Sequence, residues 1–411
     1  MKQINLNEWE DISKVEEYRD DPFLPIFEIT EESKNYVDII DISQKGIKVK
    51  AKNFVGFIPL DENYLLVVSP KVAVEDFLYM LFRAQGKKAK LRDFDRVIKT
   101  GREKGMEYPN MFHFLLYVLL HELEKIRTQG FLKRSVPKIE NRKSIKGKIL
   151  VKETILKNHA LGKKNEVWCS YYDLSKNIPE NMAIKFTLSA VFKSDLIPNN
   201  AIPTFFDRYR DFASIALSHP KNFLDEVEDN LDQNKIPTTR QYYFDILNLC
   251  IFFITHSKLE YKSGKEVKLK AFVIDMNDIF EEYVRRALID ELPEEIRIKK
   301  KKERLFDNKE NKVDPDYRFL KNGEVVCVGD AKYKEAPATD DFYQLLAYLD
   351  VYDVKSGVLI YPQFEDSPEE EKFTQREKVI WIYRLNLAKL KEAEEKLSSF
   401  IAGVINEREI S

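Results

Sequence analysis

The feature that most constrains the fold is an apolar strand that runs directly into charged residues. The run Val325–Val328 leads to Asp330-Ala331-Lys332, and the turn signal Asn322-Gly323 precedes it. Residues 312–334 are therefore predicted to form an antiparallel hairpin. Because successive side chains of a strand alternate between faces, Asp330 and Lys332 leave the same face.

The length of the turn decides where the two other aspartates of this hairpin point. A two-residue loop at Asn322-Gly323 would put Asp316 and Asp330 on opposite faces. A three-residue loop over 321–323 sets Asp314 opposite Asp330 and Asp316 on the same face. We predict the three-residue loop because it brings the carboxylates together; a β-bulge could have the same effect.

Converging carboxylates at the end of a strand predict a metal site. Two such groups repel each other unless a cation lies between them, and oxygen ligands favour Mg²⁺, with Mn²⁺ as an alternative. Such an ion lowers the pKa of a bound water and stabilises charge on a phosphate. Asp316, Asp330 and Lys332 therefore predict metal-dependent phosphodiester hydrolysis. The alternative is an ordinary hairpin with a solvated, charged end.

Two predicted helices on either side of the hairpin carry further polar side chains. The helix over 273–292 contains Glu281, and the helix over 340–354 carries Gln344 and Tyr348 on one face. Each has an ordinary explanation, which is ion pairing along the helix for the glutamate and core packing for the tyrosine. Their position beside the hairpin strengthens an Asp-x-Lys spacing that is weak by itself.

Composition narrows the class of protein. Hydrophobic residues make up 44% of the chain, enough for buried cores, and no apolar run is long enough to cross a membrane. The three cysteines are far apart without a CxxC pair, which argues against a zinc ribbon or disulfide framework and favours a cytoplasmic protein. The first residues lack the apolar core of a signal peptide.

Positive charge is concentrated locally on a chain whose net charge is −2. Residues 131–164 hold eleven Lys or Arg against two Glu, a local charge of +9, and residues 86–104 have a local charge of +5. Basic segments of this kind can contact the phosphates of DNA, although solvated surface explains each segment equally well.

The order of periodic patterns predicts an α+β multidomain protein. Residues 1–75 are predicted as a small β-rich domain and residues 76–262 as a mostly helical section containing the basic segment 131–164. Residues 263–411 are predicted as a mixed α/β domain, with helices flanking a small sheet.

These motifs resemble the PD-(D/E)xK nuclease superfamily and, more narrowly, the McrC family of restriction endonuclease subunits. The motifs that carry the resemblance are Met276-Asn277, Phe280-Glu281, Pro315-Asp316, Asp330-Ala331-Lys332-Tyr333-Lys334, Tyr343-Gln344 and Ala347-Tyr348. Residues 53–72, 130–149 and 171–186 are similar to earlier segments of the family, in which Gly147 and Asn181 fit and Pro179-Glu180 departs from the pattern.

The resemblance implies roles for individual residues. Asp316 and Asp330 would be metal ligands, and Lys332 would be the catalytic lysine. Glu281 would be a further ligand or a base. Gln344 would orient the site or touch double-stranded DNA. Tyr348 is implied as a support for Gln344, and Asp314, which has no family role, is a candidate for an outer position.

The resemblance also implies a partner. McrC proteins act with McrB, a GTP-hydrolysing AAA+ ring that reads modified cytosine, and their β-rich N-terminal part reaches into the ring. This chain has no GxxxxGK[ST] motif, so GTP would be used by the partner. The 1–75 segment would then be the partner-binding domain, 76–262 a stalk, and 263–411 the endonuclease domain.

Two other functions remain open, a stand-alone PD-(D/E)xK repair or recombination nuclease and a non-catalytic activator of an AAA+ motor. The long N-terminal stalk argues against the stand-alone nuclease, which would not need it. The cysteine spacing also disfavours an iron–sulfur exonuclease. A non-catalytic activator of an AAA+ motor is disfavoured because Asp316, Asp330 and Lys332 are all present.

Overall fold

The computed structural model describes residues 2–26, 28–84, 111–192, 197, 201–262, 266–299, 303–304, 312–364 and 367–407. The chain divides into two compact units, one formed by Met1–Met111 with Val273–Ser411 and the other by Phe112–Phe272. The β-rich N-terminal segment and the C-terminal segment, predicted as separate domains, thus belong to one unit. The basic segment 86–104 lies outside the described residues.

The N-terminal part of the first unit is a small β structure, as its alternating pattern predicts. Strands β4 and β5 are antiparallel, β1 lies parallel to β5 with Ile4 opposite Leu66, and β2 pairs with β3. Ile4, Leu6 and Leu66 are buried in a core shared with β3. The bounds are β1 (Lys2–Asn7), β2 (Val37–Ser43), β3 (Gly46–Ala51), β4 (Phe54–Pro59) and β5 (Tyr64–Ser69), followed by helix α1 (Val74–Ala84).

The C-terminal part of the same unit is a six-stranded mixed sheet in the order β11-β14-β15-β16-β18-β17. The pairs β15–β16 and β16–β18 are parallel, and the other pairs are antiparallel. The strands are β11 (Ile296–Lys299), β14 (Tyr317–Lys321), β15 (Glu324–Ala331), β16 (Ser356–Gln363), β17 (Glu370–Gln375) and β18 (Lys378–Asn386). A separate short pair joins β12 (Glu303–Arg304) to β13 (Lys312–Val313). The prediction of a mixed α/β fold is confirmed, although β17 and the β12–β13 pair were not predicted.

Three helices accompany this sheet. Helix α8 (Met276–Glu291) packs against α1, α10 and β15. Helix α9 (Thr339–Val351) packs on β15 and β16, and α10 (Leu390–Glu407) packs against β18. Helix α8 begins three residues after the predicted start because the side chain of Asp275 accepts a hydrogen bond from the Asn277 N–H and so caps the helix.

The second unit combines helices with a three-stranded sheet in the order β6-β8-β7 and a β9–β10 hairpin. The basic segment 131–164 covers β6, β7 and the helix that follows. The elements are α2 (Met111–Gln129), β6 (Arg134–Arg142), β7 (Lys148–Ile149), α3 (Val151–Lys157), β8 (Val167–Ser175), α4 (Pro179–Phe192), α5 (Ile202–Asp211), α6 (Leu224–Asp232), α7 (Tyr243–His256), β9 (Ser257–Lys262) and β10 (Glu266–Asp275).

Asn181 and Gly147 have structural roles in this unit. The Asn181 amide donates to the carbonyls of Leu132 and Lys176, at 3.0 and 2.7 Å, and accepts from the Tyr243 hydroxyl at 2.7 Å. Gly147 has φ +73°, and a Cβ atom there would lie 2.5 Å from the carbonyl oxygen of Ser170. Glycine is therefore required on both conformational and steric grounds. Among the helices of the described ranges, none is long and apolar enough to cross a membrane.

Candidate active site

The hairpin that carries the aspartates has a register that neither simple loop predicts. Lys321 pairs with Glu324, so the loop is the two-residue turn Asn322-Gly323, with φ angles of +53° and +90°. The register then shifts by one residue at a β-bulge, and Tyr317 pairs with Gly329.

This register corrects the prediction of a three-residue loop. Extended one residue beyond the Tyr317–Gly329 pair, where β14 begins, this register would bring Asp316 level with Asp330, and Asp314 would not be opposite Asp330. The carboxylates of Asp316 and Asp330 share a face because the bulge supplies the extra residue that the loop lacks.

The ends of the two strands hold the predicted catalytic residues together. The Ala331 N–H donates a hydrogen bond of 2.9 Å to Asp316 Oδ2. Lys332 Nζ lies 2.6 Å from Asp330 Oδ2, and the Asp330 side chain is only 3% exposed. Asp316, Asp330 and Lys332 therefore form one compact cluster at the carboxyl end of β15.

The carboxyl groups of the cluster have raised pKa values. Burial, with the negative charges of Asp330 and Glu281, raises the pKa of Asp316 to about 8. Burial also raises the pKa of Asp330, against the opposing charge and hydrogen bonding of Lys332. Burial alone would lower the pKa of Lys332, but the charges of Asp330, Asp316 and Asp341 raise it. The lysine is therefore a cation, and the carboxyl pair lacks enough positive charge to ionise easily.

Glu281 lies on α8, which is joined to the hairpin by a hydrogen bond. The buried hydroxyl of Tyr317 donates a hydrogen bond of 2.8 Å to the Glu281 carbonyl oxygen. The neighbouring Glu282 forms ion pairs with Arg285 and Arg286, which is the kind of pairing that the sequence offered as the alternative explanation. After burial and Asp330, the negative charge of Glu281 also contributes to the raised pKa of Asp316.

Gln344 and Tyr348 lie on α9. Tyr348 is buried in the core between α9 and the sheet, as its packing explanation predicted, and its hydroxyl donates to the Asp314 carbonyl at 3.4 Å. The pKa of Tyr348 is raised overall. Burial and the charges of Asp330 and Asp316 raise it, and a hydrogen bond with Gln344 partly opposes that rise. Gln344 is exposed. Tyr348 thus contacts Gln344 and the main-chain carbonyl of Asp314.

Sequence reasoning missed Asp341, a buried carboxylate at the start of α9. It pairs with Lys334 at 2.7 Å and accepts hydrogen bonds from the Tyr361 hydroxyl and the Ala338 N–H. Burial opposes ionisation, but these hydrogen bonds lower the pKa of Asp341 overall. The available signal was Lys334, which lies two residues after Lys332. Side chains two residues apart in an extended run leave the same face, so a second lysine near the site could have prompted a search for its carboxylate partner.

The donor set at the cluster fits a divalent cation with few protein ligands. In the part of the chain that the structure describes, no group of three or more His, Cys, Asp or Glu side chains has metal-binding geometry. Asp316 and Asp330 form a pair, and the Lys332 ammonium lies 2.6 Å from the buried Asp330 Oδ2. Mg²⁺ commonly binds to one or two carboxylates and keeps several waters.

Comparison with known proteins gives a family match and a shared fold. A family model described as McrBC 5-methylcytosine restriction system component matches residues 49–362. A chain from the refined half-complex of a tetradecameric assembly of Thermococcus gammatolerans McrB AAA+ hexamers with bound McrC matches with a TM-score of 0.68 and 19% identity, over 98% of this chain and 100% of that chain.

A second structure, the cryo-EM structure of the Thermococcus gammatolerans McrBC complex, matches with a TM-score of 0.46 and 18% identity. That match covers 71% of this chain and 89% of that chain, and it is too weak to support an argument. No curated protein matches the sequence.

Proposed function

The chain belongs to the McrBC family of 5-methylcytosine restriction system components, and from that premise we propose that it is the DNA endonuclease subunit of a modification-dependent restriction complex. The observation that carries the proposal is the cluster in which Asp316 accepts from the Ala331 N–H, next to Asp330, and Asp330 contacts Lys332. Buried carboxylates with raised pKa values next to a lysine are typical of a catalytic centre.

In this proposal, Asp316 and Asp330 hold Mg²⁺, or Mn²⁺ as an alternative, and Glu281 is a further ligand or accepts the proton of the attacking water. The ion, when bound, lowers the pKa of a water and balances charge on the phosphate. Lys332 supplies a fixed cation for the phosphoryl oxygens. Gln344, which is exposed on α9, contacts DNA or orients the site, and Tyr348 supports it.

We further propose that the partner is an AAA+ GTPase ring, which reads the modified base and hydrolyses GTP. Two surfaces with exposed large apolar side chains are candidates for the contact, since such side chains mark protein interfaces. The first is on β2, where Ile40 and Ile42 are 44% and 66% exposed, within the predicted partner-binding segment. The second is one face of the β6–β8 pair, where Tyr172 and Leu174 are 72% and 69% exposed.

Charge-introducing variants test the two surfaces. We expect Ile42→Asp and Tyr172→Asp each to reduce stimulation of the partner's GTP hydrolysis, because a buried carboxylate is costly in an apolar interface. Stimulation that is lost with only one variant assigns the contact to that surface. Stimulation that survives both variants contradicts the proposed contacts.

The proposed function is tested by cleavage of methylated and unmethylated plasmid with Mg²⁺, with and without the cognate AAA+ protein and GTP. The natural chain is compared with Asp330→Ala. We expect cleavage only of methylated plasmid, only with partner and GTP, and only with Asp330 present. Cleavage by the chain alone would instead identify a stand-alone nuclease. Stimulated GTP hydrolysis without any cleavage would identify a non-catalytic activator.

A further inference from the structure

Glu8, in the N-terminal β structure, is a buried carboxylate that the proposed reaction does not use. It is fully buried, and its Oε2 accepts hydrogen bonds from the Tyr333 hydroxyl at 3.0 Å and the Lys71 N–H at 2.9 Å. Its Oε1 is also buried and has no hydrogen-bond partner among the described residues. Burying a carboxyl group with one unsatisfied oxygen is costly, so this arrangement needs a reason beyond packing.

The residue after Glu8 adds a second unusual feature. Trp9 has φ +57°, a left-handed conformation that is unfavourable for a bulky residue. In this conformation its ring stacks on Tyr333, with 5.2 Å between the centroids. The Lys71 ammonium lies 5.0 Å from the centroid of the Trp9 ring and pairs with Glu335. We call Glu8, Trp9 and Lys71 the N-terminal clamp on Tyr333.

Tyr333 is next to Lys332 in the sequence and packs on the helix that carries Glu281. It directly follows Lys332, whose N–H is fixed by a hydrogen bond of 2.9 Å to the Ile360 carbonyl. Its ring packs against Phe280, at 5.7 Å between centroids, and Phe280 directly precedes Glu281. A displacement of the Tyr333 ring would therefore move the main chain beside Lys332 and the helix turn beside Glu281.

We propose that Glu8 is a positioning residue for the nuclease centre, which acts through Tyr333 to hold Lys332 and Glu281 in place beside the two aspartates. The inference rests on the proposed function and adds to it. The N-terminal segment is then a working part of the nuclease unit as well as a candidate for partner binding. Glu8 and Trp9 both contact Tyr333, the residue that directly follows Lys332.

The test measures kcat and KM for DNA cleavage by the complete complex. We expect Glu8→Ala and Tyr333→Phe to lower kcat at least about tenfold with KM nearly unchanged, because the DNA-contacting surface is intact and the reacting groups are misplaced. We expect Glu8→Gln to restore kcat to within a few-fold, because its amide oxygen still accepts from the Tyr333 hydroxyl.

A control separates positioning from loss of stability. Val49→Ala removes buried volume from the N-terminal core at a residue that is not part of the clamp. If Val49→Ala, matched in melting temperature, lowers kcat as much as Glu8→Ala does, or if Glu8→Gln fails to restore kcat, the positioning role is wrong.

A second readout does not depend on cleavage. The rate at which acetic anhydride modifies Lys332, followed by mass spectrometry, reports its burial and ion pairing. We expect Glu8→Ala to increase this rate several-fold relative to that of Lys334. An unchanged rate overturns the clamp. A changed rate in a chain that never cleaves DNA supports the clamp and overturns the proposed function.

Discussion

The Ala331 N–H donates a hydrogen bond of 2.9 Å to Asp316 Oδ2, so the first carboxylate of the site is fixed to the backbone of the strand that carries the second. This hydrogen bond holds one oxygen of Asp316 and so restrains the orientation of the carboxylate beside Asp330. Burial and the charges of Asp330 and Glu281, which together raise the pKa of Asp316, are therefore features of the folded chain.

The two lysines of the motif are expected to differ in function. Lys332 contacts Asp330, whereas Lys334 pairs with Asp341. We predict that Lys332→Met lowers the cleavage rate at least about 100-fold, because a fixed cation at the phosphate is lost. Lys334→Met should lower it less than about tenfold, and neither change should alter the partner's GTP hydrolysis. Equal losses in cleavage assays would show that Lys332 has no special role.

Gln344 offers a choice between two roles that substitutions can separate. If it touches DNA, Gln344→Glu should raise KM several-fold more than Gln344→Ala, because a carboxylate repels the phosphates. The excess should shrink at high salt. If it acts only through Tyr348, both variants should lower kcat with similar KM values. Both should leave the melting temperature nearly unchanged, because the side chain is exposed.

Stability should depend on pH through Glu8. Burial raises the pKa of Glu8 to about 7, against a usual value near 4.5. Between these values the folded chain holds a proton that the unfolded chain has lost, so stability falls as pH rises. We predict a loss of at most about 3 kcal/mol from pH 4.5 to 7 relative to Glu8→Gln, whose neutral side chain has no such titration. Parallel urea-unfolding profiles for the two proteins would contradict this.

Two glycines with similar φ angles form a matched pair. A Cβ atom at Gly147 would meet the Ser170 carbonyl, whereas at Gly162, with φ +76°, nothing lies within 4 Å. We predict that Gly162→Ala costs about 1 kcal/mol, from the left-handed conformation alone. Gly147→Ala should cost roughly 3 kcal/mol or more, because strain and a main-chain clash add. Urea unfolding measures both, and equal costs would show that the backbone moves freely at Gly147.

The sequence was sufficient to predict the hairpin and the helices beside it. These follow from local alternation and from turn residues. The predicted loop length was wrong because the register shifts at a bulge between Phe319 and Leu320, and no local sequence pattern marks that position. Glu8 was missed because its partner, Tyr333, is 325 positions away, and no periodic signal spans that distance.

The bulge decides which face of the hairpin each aspartate occupies. The active site therefore depends on whether the number of residues inserted or deleted in the hairpin is odd or even. Counting from the turn, a regular two-residue hairpin would leave Asp316 and Asp330 back to back, and one added residue brings them face to face. Deleting one residue from β15, or adding one to the turn, reverses that parity, while changing the turn by two preserves it. Among homologous hairpins, lengths that differ by an even number are therefore compatible with catalysis, and an odd difference requires a second, compensating bulge.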